Sequence, residues 1–342
     1  MAKSRHGAAR AMAALIIGSL GLTACSSGQE ATDNPDVGGQ KTGPITIAYL
    51  QKQGDQQYFV DEAAGATDAA KELGEVKVSV VNLGLDSNKA ISELDAAIAR
   101  GVDGIAIVAP DQQIGPQVID KAKQAGIPLV ASDDSLKDGS GAEAPFVGFD
   151  GPSMGQEVGK KAGELYKQAG WTAADTRIIA AWKQDLTVCT DRVNGAKGAF
   201  TEAAGGDVPQ IIEVGTDNTP TGAQDKAGAV ITANQNVKHW VVWGCNDENV
   251  TGVVTALQNS GKKPADIIGV GLGAYLSCKD WKAGQQTGNR AALFIDGREV
   301  GASAIRALVE SIRSGNPLPA KSVAKTTMVD ATNWEQAGLA CT

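Results

Sequence analysis

The chain has 342 residues, 42% of them hydrophobic and 20% charged, which is enough for a large core and for more than one domain. The formal net charge is −8, and Lys3, Arg5 and Arg10 stand in an opening stretch without acids, so the rest is more acidic still. An acidic body lacks the basic surface that neutralises phosphates, which argues against a nucleic-acid partner; histidine, present only at His6 and His239, is too scarce for most triads and zinc sites.

In chain order, the basic start is followed by the apolar stretch Ala11–Leu22. It is shorter than the roughly 20 residues of a membrane span and reads as a signal peptide. The "LTAC" of Leu22–Cys25 resembles a bacterial lipobox. That resemblance implies that residues 1–24 are a lipoprotein signal peptide and that Cys25 is lipidated; the alternative is a secreted chain with an incidental cysteine. Ser26–Thr42 is rich in Gly, Ser, Asp and Gln and reads as a flexible tether, spanning residues 25–43 with the cysteine. The expected location is the outer face of a cell membrane, held by the lipid. Cys189, Cys245, Cys278 and Cys341 remain. Outside the cytosol an even number suggests disulfides, and four cysteines allow three pairings. Cys189–Cys245 with Cys278–Cys341 is favoured, with free buried thiols as the alternative. The spacings fit no zinc pattern.

From Ile45 short apolar runs alternate with helical patterns. Strands are expected at Ile45–Leu50, Val76–Val81, Ile105–Val108, Pro128–Ala131 and Phe146–Phe149. Helices are expected at Tyr58–Leu73, Ser87–Arg100 and Ile114–Ala125, the second with Ile91, Leu94 and Ile98 on one face. The rhythm restarts with helix Met154–Ala169, strand Arg177–Trp182, helix Val188–Ala203, strand Ile211–Val214, helix Gly222–Ala233, strand His239–Trp243, helix Val250–Ser260 and strand Ile267–Gly271. Late strands at Ala291–Ile295 and Ser322–Val329 flank a helix at Val300–Arg313. Strands that are apolar throughout indicate parallel sheets covered on both faces. Two such α/β halves without a long linker predict a bilobed protein with a cleft. Ligands of open α/β sheets sit at the carboxyl ends of the strands, where Asp133 and Asp134 of "PLVASDDS" stand.

Some motifs mimic catalysis. "GPSMG", Gly151–Gly155, fits the G-x-S-x-G nucleophile pattern around Ser153, but the only histidine after it, His239, opens a buried run. "GVGLGA", Gly269–Ala274, fits a dinucleotide fingerprint, but late in the chain and without a convincing pyrophosphate helix after it. Asp133 and Asp134, with Asp111 and Asp150 at other strand ends, leave a calcium site as an alternative. An acid/base pair would need environments that separate the two acids, of which the sequence shows nothing. No enzyme, cofactor or metal is expected.

"ARGVDGIAIVAPD" (Ala99–Asp111), "QAGIPLVASDDS" (Gln124–Ser135), "VKHWVVWGCNDENVTGVVTAL" (Val237–Leu257) and "ADIIGVGLGA" (Ala265–Ala274) together resemble the bacterial sugar-binding proteins of ABC importers, of the ribose- and arabinose-binding type. "LQKQGDQQYF" (Leu50–Phe59) and "ELYKQAGW" (Glu164–Trp171) place the arabinose-binding members nearest. The resemblance covers most of Ile45–Cys341. It implies the type I periplasmic-binding-protein fold, two Rossmann-like lobes joined by a three-stranded hinge: residues 44–149 and 290–325 in the N-terminal lobe, 150–289 and 326–342 in the C-terminal lobe. It also implies that Lys52 and Gln56 lie on the first loop, where the family often has Glu in place of Gln56, with Tyr58 and Phe59 as apolar walls. Asp133 and Asp134 correspond to the acidic pair that accepts from sugar hydroxyls, Phe149 to the first hinge, Arg192, ahead of Gly195, to the cleft arginine, and Asn246 to the cleft asparagine.

The chemistry of these residue types agrees. Ionised carboxylates accept from hydroxyls, Lys and Arg donate to sugar oxygens, and aromatic rings cover apolar C–H faces. Gly273 and Leu276 stand where the family carries polar ligand residues, and Cys245 replaces a larger apolar residue, which points to a smaller or less hydroxylated ligand. The expected partners are a monosaccharide or sugar alcohol (pentose, pentitol or tetritol), an ABC permease and through it the ATPase, and the membrane through the lipid; the chain is expected to be monomeric. A sugar sensor of the same fold and, remotely, a secreted hydrolase using Ser153 are the alternatives.

Overall fold

The computed structural model describes residues 40–341, so the signal peptide, Cys25 and nearly all of the tether lie outside the described residues. The first lobe opens with β1 (Ile45–Lys52), α1 (Gln57–Leu73), β2 (Val76–Gly84), α2 (Ser87–Ala99), β3 (Gly104–Ile107), α3 (Gly115–Ala125), β4 (Leu129–Asp133) and β5 (Phe146–Gly148). The second lobe follows with α4 (Gly151–Ala169), β6 (Thr176–Trp182), α5 (Thr187–Ala204), β7 (Gln210–Gly215), α6 (Pro220–Ala233), β8 (His239–Gly244), α7 (Asp247–Asn259), β9 (Ile267–Gly273), α8 (Ser277–Lys282) and β10 (Asn289–Ile295). The chain then returns as α9 (Gly297–Ser314), which packs on α1, and ends in β11 (Lys321–Val323) and β12 (Thr326–Val329).

Two six-stranded sheets result, ordered β11-β5-β4-β3-β1-β2 and β12-β10-β9-β8-β6-β7. The first is parallel throughout; in the second only β12, paired with β10, is antiparallel. Central strands such as β3 and β9 are buried along their whole length, because helices cover both faces of each sheet. The chain crosses between lobes three times, at Phe149–Asp150, at Asp296 and between β11 and β12. At the first two crossings an aspartate caps the next helix: Asp150 accepts from Ser153 N at 3.0 Å and Asp296 from Glu299 N at 3.2 Å.

Two sequence expectations change. The lobe boundary at residue 290 would put β10 in the first lobe, but β10 pairs with β9 in the second sheet and the crossing comes after it, at Asp296. A single strand at Ser322–Val329 is in fact β11 and β12, one in each sheet. The favoured disulfides are both formed, Cys189–Cys245 and Cys278–Cys341.

In the second lobe α4 and α5 pack almost backbone to backbone. A Cβ on Gly155 would stand 1.9 Å from the Arg192 carbonyl oxygen and one on Gly159 2.1 Å from that of Ala196. Only glycine permits this approach, and it sets how deep the Arg192-bearing helix lies against the cleft.

Candidate functional site

Strand β4 is buried to its end, and there the backbone turns sharply: Asp133 has φ +65°, a left-handed conformation that Asp tolerates better than most residues. The two adjacent carboxylates consequently have separate partners. Asp133 Oδ1 accepts from the Tyr58 hydroxyl at 2.8 Å. Asp134 lies between two cations, Lys52 Nζ at 3.1 Å in its own lobe and Arg192 Nη2 at 3.3 Å from the other. All four groups are buried, with exposures of 2% for Asp133, 3% for Asp134, 5% for Lys52 and 8% for Arg192. Buried charges persist when they are paired and hydrogen-bonded, and here two acids balance two bases.

The environment separates the acids electrostatically. Burial, together with the Asp134 charge, pushes Asp133 up to about 6, against the pull of Arg192, Lys52 and the Tyr58 hydrogen bond. Behind it Glu62 of α1 has no exposure at all. Burial and the Asp133 charge raise it to about 8, so at neutral pH it is largely a neutral acid. Ser132 Oγ donates to Glu62 Oε1 at 2.5 Å, and Tyr49 lies within 3.4 Å of the same hydroxyl. Sequence reading missed Glu62, because an acid inside an Ala-rich helix reads as its solvated face.

The second lobe contributes Arg192 and a trio of amides. Arg192 Nη1 donates to the Cys245 carbonyl at 3.4 Å, and its Nε is buried without a partner among the described residues. Asn246 caps α7, its Oδ1 accepting from Asn249 N at 3.1 Å, while its Nδ2 donates to Asn218 O at 3.3 Å. Asn218, in a left-handed turn at φ +64°, accepts from Asn249 Nδ2 at 2.8 Å. Next to Asn246, Glu248 is raised to about 7, chiefly by burial; the Tyr275 hydroxyl donates to its Oε2 at 2.6 Å and Gln56 approaches it from the first lobe.

These groups surround a cavity between the lobes with about 430 Å³ of empty space, counting its open mouth. Of the residues expected at a ligand site, Lys52, Gln56, Tyr58, Phe59, Asp133, Arg192 and Asn246 line it. Asp134 stands behind them as the link between Lys52 and Arg192. Phe149 is not on the wall: it packs behind Tyr58, ring centroids 6.5 Å apart, at the hinge. Asn218, Tyr275, Leu272, Ile295 and Cys189 line the cavity without having been anticipated, and Cys245, marked in the sequence as standing in place of a larger apolar residue, lines it beside its disulfide partner. Tyr275 explains the glycine at 273: a Cβ there would stand 2.2 Å from the tyrosine ring. The position that lacks a polar side chain is covered by a tyrosine whose hydroxyl bonds Glu248.

The catalytic look-alikes have other roles. Ser153 is an exposed first-turn residue of α4 whose amide is taken by Asp150. His239 stacks on Trp171, ring centroids 4.4 Å apart, beside Asp266 at 3.5 Å, at the start of β8 and so at the end away from the cleft. The glycine motif of β9 leads into α8, but Asp247 occupies that helix start, accepting from Leu276 N at 2.7 Å and Ser277 N at 2.9 Å. A pyrophosphate would meet a carboxylate there. Among the described residues no cluster of His, Cys, Asp and Glu is placed to hold a metal ion, and no helix is long and apolar enough to cross a membrane.

Comparison with known proteins agrees with this architecture. The family described as "Periplasmic binding protein domain" matches residues 47–316. The ABC transporter L-arabinose-binding periplasmic protein of Azospirillum brasilense is 28% identical over 338 residues, covering 97% of this chain and 96% of that one. The L-arabinose-binding periplasmic protein of Escherichia coli K12 is 30% identical over 253 residues, covering 71% and 74%. In fold, the chain is similar to an ABC transporter periplasmic solute binding protein of Actinobacillus succinogenes crystallised with D-allose, with a TM-score of 0.74 at 22% identity, covering 85% of this chain and 99% of that one. Two parallel-dominated α/β lobes joined by three crossings, and a family match spanning most of their length, lead to one conclusion: this chain belongs to the periplasmic binding protein family.

Proposed function

We propose that this protein is the lipid-anchored, extracellular solute-binding component of an ABC importer, and that it holds a pentose or a small sugar alcohol, unreacted, between its lobes. The observation that carries the reading is the cross-lobe row Lys52–Asp134–Arg192 beside Asp133 at the edge of the cavity. Asp133 suits hydroxyl donors, Lys52 and the unpartnered Arg192 Nε suit ring and hydroxyl oxygens, and Tyr58 and Phe59 offer apolar faces to C–H groups. Hydrogen bonds to charged groups contribute about 1.5–3 kcal/mol each, so a few reach the roughly −8 kcal/mol of micromolar binding.

Arg192 and Asp134 come from different lobes, so a ligand that engages the Arg192 side favours the closed form, which a permease can read. The preference for a small or less hydroxylated ligand follows from Leu272, Ile295 and the bonded pair Cys189–Cys245, which occupy wall that could otherwise carry polar groups. The arabinose-binding relatives keep L-arabinose among the candidates.

Titration calorimetry against L-arabinose, D-xylose, D-ribose, xylitol, ribitol and erythritol tests the reading. Micromolar binding of at least one is expected. Binding of L-arabinose with no response to any sugar alcohol would remove the polyol version, and silence across the set would remove the sugar reading altogether. Cys25→Ser should release the protein from the membrane fraction; retention there would count against the lipid anchor.

A further inference from the structure

The Cys189–Cys245 disulfide is part of the cleft wall. Its ends lie in two of the second-lobe segments that bring polar groups to the cavity, those that carry Arg192 and Asn246. Cys189 is one turn ahead of Arg192 on α5, and Cys245 directly precedes Asn246, the cap of α7. The bond holds their Cα atoms 4.8 Å apart. The hydrogen bond that links the two segments directly is long, Arg192 Nη1 to Cys245 O at 3.4 Å, and Asn218 Nδ2 donates to Cys189 Sγ at 3.4 Å, an ordinary length for a bond to sulfur. The glycine contact with α4 sets how closely α5 packs, and Val193, Ala196 and Phe200 fix its core face. At its first turn, one turn ahead of Arg192, the covalent tie adds a direct link to the segment that carries Asn246.

The second disulfide provides an internal reference. Cys278–Cys341 joins α8 to the C-terminal segment inside a separate cluster with Trp281, Val329 and Leu339, and neither cysteine is among the residues lining the cleft. The two bridges span similar sequence separations, 56 and 63 residues, so chain entropy gives them nearly equal stabilising effects.

We propose that Cys189–Cys245 is a positioning element of the ligand site: it holds Arg192 and Asn246 at the spacing the ligand reads and supplies part of the apolar wall. The inference rests on the cleft being the ligand site. Preorganisation of this kind acts on affinity, because a guanidinium that must be re-ordered on binding loses part of what its hydrogen bonds contribute.

The test compares Cys189→Ala/Cys245→Ala with Cys278→Ala/Cys341→Ala by calorimetric melting, by affinity for the tightest binder of the sugar and polyol set above, and by amide hydrogen exchange of the ligand-free protein. Similar falls in Tm are expected. Only the first pair should weaken the ligand, by about tenfold or more, and only the first should speed exchange within 187–193 and 245–249. Equal affinity losses in both pairs, or unchanged affinity in the first, would overturn the proposal. If the wild type binds none of the set, the sugar reading falls, and exchange decides alone: acceleration confined to those segments supports positioning, while acceleration across the whole lobe, or none, overturns it. Should the first pair fail to fold, Cys189→Val/Cys245→Ala restores buried volume and is read in the same way.

Discussion

Asp111 Oδ2 accepts a hydrogen bond from the Thr187 amide at 3.2 Å, across the mouth of the cleft. The helix α5 that begins at Thr187 has Leu186 at its N-cap and no side-chain cap of its own. The first lobe thus caps the helix of the second that carries Arg192. The bond can exist only while the lobes are closed, which ties the stability of one helix end to the conformational equilibrium.

Asp111→Ala therefore weakens closure more than folding. A cap is worth about 0.5–2 kcal/mol, so affinity should fall a few fold with a small change in melting temperature, since Oδ1 also caps the Gln112–Ile114 turn. Calorimetry with the tightest sugar or polyol, and small-angle scattering of the ligand-bound form, would read it. An unchanged affinity would show that the contact carries nothing in closure.

Removing the cross-lobe cation is the harsher change. Arg192→Ala leaves buried Asp134 with Lys52 alone. Losing one charged hydrogen bond to the ligand costs about 1.5–3 kcal/mol, roughly ten- to a hundredfold in affinity, and the closed state loses its ion pair as well. The retained Lys52 should keep the variant folded, which circular dichroism checks. Binding at wild-type strength would place the ligand elsewhere.

The buried acids make stability depend on pH in a direction the carboxylates of most proteins do not. Glu62 moves from an ordinary 4.5 to about 8, and Asp133 from 3.8 to about 6. The folded state keeps protons that the unfolded chain releases, so this stabilising contribution is complete below the ordinary values and is lost as pH rises through the raised ones. Glu62 is faced by Tyr49 of β1, Ser132 and Asp133 of β4 and Tyr58 of its own helix. Glu62→Gln mimics the neutral acid, so its Tm should fall several degrees less than that of the wild type between about pH 5 and about pH 8.5, given that roughly 1 kcal/mol moves the midpoint by 2–4 °C. Parallel melting curves would mean that Glu62 is not protonated in the fold. Ligand affinity has the opposite dependence. Acidification through about 6 protonates Asp133 and removes a hydroxyl acceptor, so binding should weaken on the acid side.

Much of the architecture could be read in the linear chain because burial on both faces leaves a mark on every residue. The run Gly104–Ile107 and the run Ile267–Gly273 are apolar or glycine at each position, and each is a central strand. Asp133 could be read as a strand-end carboxylate for the same reason: a buried run must stop where charge begins. Lys52, Gln56, Tyr58, Phe59, Arg192 and Asn246, picked out by resemblance, come together around one cavity. The sequence by itself thus determined two α/β halves, the strand ends that face the cleft, and the chemistry available there.

What the tertiary structure alone decided is which groups meet across long separations and how burial changes them. Arg192 reaches Asp134 over 58 residues, and Asn249 reaches Asn218 over 31. The lobe to which β10 belongs depends on its pairing with β9, and an apolar run reads the same in either sheet. Glu62 looks like any helical acid until Ser132, Tyr49 and Asp133 surround it, and only its loss of water turns it into a neutral group. Local pattern is set by which face of an element must be dry. Pairing, protonation and the disulfide beside the cleft are set by neighbours that the chain brings together only on folding.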